Sequence, residues 1–140
     1  MSYTNENYLH SDLTGDILKA AHNVYYYFGG SGFLESVYRN ALKIELESMG
    51  FSVKAEHPIT VYYKKEKVGV FYADLVVDDL VIIELKSVET MHPRHEVQLV
   101  NYLRSTNIEV GLLINFGDSR QLGKKRKICS NSRKKGVDLR

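Results

Sequence analysis

The chain has 140 residues, 44% of them apolar and 26% charged, which suits one domain with a single core, and no apolar run approaches the roughly 20 residues that span a bilayer. The lone Cys129 excludes an internal disulfide, and residues 1–6 lack the basic-then-apolar pattern of a secretion signal, so a cytoplasmic protein with no membrane anchor is the expectation. The net charge of +2 hides an asymmetry, because residues 1–119 hold ten Lys or Arg against sixteen acids and residues 120–140 hold nine against one. One domain over 1–119 followed by a basic tail over 120–140, with room there for one edge strand, is the expected organisation. The tail, with Lys124, Lys125, Arg126 and Lys127 in a row, reads either as a solvated terminus or as a contact for a phosphate backbone.

In chain order, Leu13, Ile17, Ala20, Ala21, Val24 and Tyr25 recur at three- and four-residue spacing and predict an amphipathic helix over 11–28, ended by Gly29, Gly30 and Gly32. A second helix is expected over 33–49, with Leu34, Val37, Tyr38, Ala41 and Ile44 on its apolar arc, Leu42 at the arc's margin and Gly50 as terminator. Three strands follow over 52–64, 67–77 and 80–88, joined by the short polar links Lys65-Glu66 and Asp78-Asp79, which predicts an antiparallel meander. Pro93 fits the first turn of a third helix running to about 105, with Leu99 and Leu103 toward the sheet, and 109–115 supplies a further apolar strand. A helix between that strand and the one before it is most simply a parallel crossover, giving an α/β or α+β sandwich on a mixed sheet of four to five strands.

Chemistry is concentrated in Val81-Ile82-Ile83-Glu84-Leu85-Lys86. Residues two apart share a strand face, so Glu84 and Lys86 point one way while Val81, Ile83 and Leu85 point the other. A charge buried in such a run costs several kcal/mol unless it is paired or binds a cation. Asp74 interrupts the preceding apolar strand, on the face of Tyr72 and Val76 by alternation, and a hairpin link can bring it beside Glu84. Two carboxylates with a lysine suit a hard cation and a phosphate. Gly32-x-x-Glu35-x-x-Tyr38 opens the second helix, where Glu35 either faces a cleft or answers the helix dipole, and Tyr38 reads as a packed aromatic with a tied hydroxyl. On the third helix His95, Gln98 and Tyr102 form one stripe, either an ordinary flank or a border of the site.

In that order, Gly32-x-x-Glu35-x-x-Tyr38, Asp74, Glu84-Leu85-Lys86 and Gln98-x-x-x-Tyr102 resemble the GxxExxY protein family, a branch of the PD-(D/E)xK nuclease superfamily, over about 12–127. The resemblance implies a restriction-endonuclease-like core, with Asp74, Glu84 and Glu35 as ligands of Mg²⁺ or Mn²⁺ and the Leu85 carbonyl completing the shell. It further implies that Lys86 positions the attacking water and that Gln98 and Tyr102 support the site or touch the DNA strand. Ala73 stands where the superfamily name has proline, at a position that supplies no ligand. The expectation is a metal-dependent nuclease acting on nucleic acid, DNA rather than RNA, with products bearing a 5′-phosphate and a 3′-hydroxyl. The alternatives are a non-catalytic nucleic-acid- or partner-binding module of the same fold, or a small protein working within a complex, for instance with a helicase.

Overall fold

The computed structural model describes residues 9–134; the ends of the chain expected to lack a leader and to complete the basic tail, residues 1–8 and 135–140, lie outside them. Helices α1 (Ser11–Tyr27) and α2 (Glu35–Ser48) precede strands β1 (Val53–Tyr63), β2 (Glu66–Val77) and β3 (Val81–Lys86); helix α3 (Pro93–Arg104) then leads to β4 (Val110–Asn115) and β5 (Gly123–Ile128). The five strands form one sheet in sequential order, antiparallel except for the central β3–β4 pair, which is parallel. Both central strands are almost wholly buried, as continuous apolar runs between two helical layers should be. This is an α+β sandwich on a mixed sheet.

The two layers divide the strand residues by parity. Ile17, Ala21, Tyr38, Leu42 and Leu46 of α1 and α2 pack with Val81, Ile83, Leu85, Leu112 and Ile114 on one face, while Leu99, Tyr102 and Leu103 of α3 pack with Val76, Ile82 and Leu113 on the other. Two residues expected on the apolar arc of α2 are instead exposed, Leu34 at 78% and Ile44 at 69%. Leu34 stands just before the helix, and the buried stripe is the narrower Tyr38, Leu42, Leu46 series at four-residue spacing.

Alternation fails at Asp74. Ala73 and Val76 pack in the same cluster under α3, which a regular strand forbids for residues three apart, whereas Tyr72 is 62% exposed. The expectation that Asp74 shares a face with both Tyr72 and Val76 is therefore corrected. The cause lies across the ladder, where Glu56 takes a φ of 49° and the Glu56–Asp74 pair drops out of the β1–β2 register between Ala55–Leu75 and His57–Ala73. The local twist that results turns the rest of the hairpin over relative to the sheet.

Both meander turns have two central residues at positive φ, Lys64 and Lys65 at 49° and 70°, Asp78 and Asp79 at 52° and 55°. The aspartates are held in place: Asp78 Oδ1 accepts from the Ser52 amide at 2.8 Å and Asp79 pairs with Lys54 at 2.7 Å. Without a Cβ-free residue, each left-handed position costs about 1–2 kcal/mol.

The basic segment enters the sheet, since β5 pairs with β4 over Gly123–Ile128. Beyond it, Lys134 is buried and its ammonium donates to the Thr106 and Ile108 carbonyls at 2.9 and 2.8 Å, strapping residues 129–134 over the loop between α3 and β4.

At the other end of β4, the buried Asn115 fixes the backbone that leaves β3. Its amide nitrogen donates to the Val88 carbonyl at 2.8 Å, and its oxygen accepts from the Val88 and Gly117 amides at 3.1 and 2.9 Å. Gly117 lies against the same peptide, where a Cβ would meet the Val88 nitrogen at 2.2 Å. Gly117→Ala should therefore destabilise the fold by about 1–3 kcal/mol, and Asn115→Ala, which strands three half-buried backbone groups, by a similar amount. Urea titrations of the variants check this; wild-type midpoints would mean that the clamp carries no stability.

Candidate active site

The carboxylates come together where the β2–β3 ladder stops. The last ladder pair on that side is Leu75–Ile83; beyond it the side chains replace the backbone partners. The Asp74 amide donates to Glu84 Oε1 at 3.1 Å, and the Leu85 amide donates to Asp74 Oδ2 at 2.7 Å. Each strand thus supplies a carboxylate that satisfies an amide of the other. These crossed bonds hold the two acids side by side as β2 leaves the sheet.

Glu84 is 5% exposed, and burial, reinforced by the charge of Asp74, raises its pKa from 4.5 to about 8; the Asp74 amide and Lys86 only partly offset this. Such a pair does not readily carry two negative charges in this setting, which is the electrostatic condition a cation relieves. Tyr102 senses both acids: burial, then the charge of Glu84 and, more weakly, of Asp74 push its hydroxyl upward, opposed by the bond it accepts from Gln98 Nε2 at 2.9 Å. At neutral pH it stays a phenol.

Lys86, His95, Gln98 and Tyr102 all line one cleft of about 770 Å³, so the expected stripe of α3 faces the lysine of β3. Burial and the neighbouring Lys86 lower the pKa of His95, leaving a neutral imidazole at pH 7. The cleft also contains Phe71 and Val61 from the β1–β2 hairpin and Arg94 and Asn101 from α3, none of which the sequence singled out. No periodicity marks them, since the reversal at Asp74 is what turns Phe71 toward Tyr102, with ring centroids 5.6 Å apart.

Glu35 stands elsewhere. It is exposed at the first position of α2 and lines a shallow depression with Phe33, Arg39 and Ser87. Among the described residues no three His, Cys, Asp or Glu side chains converge as a metal-holding group. The loop before it is nonetheless tied to the end of β3, because Ser87 Oγ donates to the Phe33 carbonyl at 2.8 Å. Tyr38 secures the same loop: its buried hydroxyl donates to the Gly30 carbonyl at 2.9 Å and accepts from the Phe33 amide at 3.2 Å, and its ring stacks on Phe116 at 4.5 Å. Gly32 supplies a φ of 133° in that loop.

The row Lys124, Lys125, Arg126, Lys127 does not form one patch, because alternation in β5 divides it. Arg126 donates to the Leu9 carbonyl and Lys124 acts on His22, both on the α1 side, whereas Lys127 pairs with Glu96 of α3 at 2.6 Å and Lys125 also acts on Glu96. Two of the four side chains are thus already engaged within the protein. Asn115 and Ser87 are positioning residues to which the sequence reading assigns no role, although Leu112–Gly117 belongs to the segments that carry the family resemblance.

The family model described as the PD-(D/E)XK nuclease superfamily matches residues 11–127, so the chain belongs to that superfamily. No curated protein and no solved structure gives a significant match. The donor set fits the divalent metal that this superfamily implies: two adjacent carboxylates, one of them buried, suffice for Mg²⁺, which is commonly held by one or two carboxylates and keeps several waters.

The raised pKa gives a pH signature. In the metal-free protein Glu84 holds a proton between about 4.5 and about 8 that the unfolded chain has released, so stability should fall as pH rises through that window, with the full penalty above it. Glu84→Gln should flatten this dependence and be the more stable protein at alkaline pH. Denaturation midpoints from pH 4 to 9 in chelator, roughly bracketing the window, measure it; a wild type whose stability rises across the same range would contradict the assignment.

Proposed function

We propose that the chain is a divalent-metal-dependent nuclease that hydrolyses phosphodiester bonds in nucleic acid, with DNA preferred over RNA, and that it represents the GxxExxY branch of its superfamily. The observation that carries this is the crossed Asp74–Glu84 pair, whose charge reaches Tyr102 on the wall of a cleft that Lys86 also lines. Asp74, Glu84 and the Leu85 carbonyl would hold Mg²⁺ or Mn²⁺, which when bound supplies a water of lowered pKa and neutralises charge on the phosphate. Lys86 directs its ammonium to a phosphate oxygen and orients the attacking water. Tyr102, kept neutral and fixed by Gln98, donates a hydrogen bond to the substrate strand, and the neutral His95, whose Nδ1 accepts from the His92 amide, donates from Nε2. The water oxygen bonds to phosphorus and gives up a proton to solvent, the bond to the 3′-oxygen breaks, and that oxygen takes a proton from solvent, leaving a 5′-phosphate and a 3′-hydroxyl.

The position of Glu35 favours a secondary part for it, reaching the site from the α2 side once substrate is bound, with Gly32 and Tyr38 holding its loop. The same position is what a non-catalytic binding module would share. Cleavage assays with Mg²⁺ and Mn²⁺ on single-stranded, duplex and branched substrates separate the readings. Asp74→Asn and Lys86→Ala should each lower the rate by about 100-fold or more, and Glu35→Gln by less. A wild type that cuts nothing yet binds nucleic acid equally with and without metal would replace the nuclease with the binding module.

A further inference from the structure

From the β1–β2 hairpin we infer that this enzyme grips an unpaired nucleic-acid strand with a basic, aromatic arm; the inference rests on the nuclease reading and names the substrate class of that site. Past Leu75 the hairpin no longer pairs with β3, so β1 and β2 continue as a two-stranded ribbon whose inner side chains, Ile59 and Ala73, still pack under α3. Its tip presents Lys64, Lys65 and Lys67 around a single acid, Glu66, all of them exposed. Lys64 and Lys65 occupy the two positive-φ positions where asparagine and glycine are the favoured residues.

The reversal at Asp74 aims the ribbon at the site. It turns Phe71 and Val61 into the wall of the cleft opposite Arg94 and Gln98. Phe71 leans on Tyr102 yet is still 46% exposed, and Tyr63 near the tip is 63% exposed. An aromatic face with lysines following it is the combination that binds single strands without sequence preference: bases stack on the rings and phosphates run along the ammonium groups. Bases in a duplex are already stacked on one another and present only their edges, so Phe71 has a partner only where the strand is open. A strand stacked there runs its backbone past Lys86, and the tip lysines hold the nucleotides that lie farther out.

Fluorescence anisotropy with a single-stranded oligonucleotide and a blunt duplex of the same sequence, in chelator so that nothing is cut, tests the arm apart from the chemistry. Replacing Lys64, Lys65 and Lys67 by serine should weaken single-strand binding at least tenfold and reduce the slope of log Kd against log salt by about 2. Phe71→Leu should weaken it by about 5- to 100-fold and leave the salt slope unchanged. Duplex binding should be little altered by either. Wild-type single-strand affinity in both variants, or equal losses on single strand and duplex, would overturn the arm while leaving the nuclease reading intact. A wild type that binds no nucleic acid, with or without metal, would remove both. Thermal melts of the variants confirm folding, and the lysine variant alters only exposed side chains.

Discussion

Everything in this molecule that bears on chemistry depends on two hydrogen bonds exchanged between Asp74 and the Glu84–Leu85 segment. They do what a continued β ladder would have done, satisfying amides on both strands, but with carboxylates in place of carbonyls. The sheet can therefore open at this point without leaving buried amides unpaired. Opening it frees the hairpin to turn toward α3 and creates the cleft; the same substitution forces two acids into contact inside the protein. The raised pKa of Glu84 is the electrostatic record of that compromise.

The rest of the fold serves to hold this junction still. Asn115 and Gly117 clamp the backbone leaving β3, Tyr38 and Ser87 tie the loop before α2 to the same strand end, and the parallel pairing of β3 with β4 fixes the register of Glu84 and Lys86. On the opposite side, α3 contributes an apolar edge, Leu99 and Leu103, for packing and a polar edge, Gln98 and Tyr102, for the cleft. One helix thus closes the core and furnishes a wall of the site.

Most of this architecture was legible in the sequence because burial writes itself as periodicity. Apolar spacing located the helices within a residue or two at most ends, and the polar links located the turns, Asp78-Asp79 as read and the first one residue earlier, at Lys64-Lys65. Where spacing misleads, the deciding interaction is between residues far apart. Alternation placed Asp74 on the face of Tyr72 and Val76, but a positive φ at Glu56, on the neighbouring strand, reverses the faces there. Ile44 satisfies helical spacing and still faces outward, since the sheet offers room only for the Tyr38–Leu42–Leu46 line. The basic row reads as one patch along the chain, yet an edge strand sends neighbouring side chains to opposite faces and lets Glu96 capture Lys127. Glu35 fits its motif by sequence, although its place in the fold depends on the tethering of a glycine-rich loop that spacing alone does not describe.

The central claim is that Glu84, buried beside Asp74, holds a proton that a divalent ion would displace. Calorimetric titration of Mn²⁺ into the protein at pH 7, in two buffers of different ionisation enthalpy, measures that displacement directly. With Glu84 pushed up to about 8, close to one proton should be released for each ion bound, and Glu84→Gln should release almost none. Binding without proton release, or with the same release in the variant, would contradict the account.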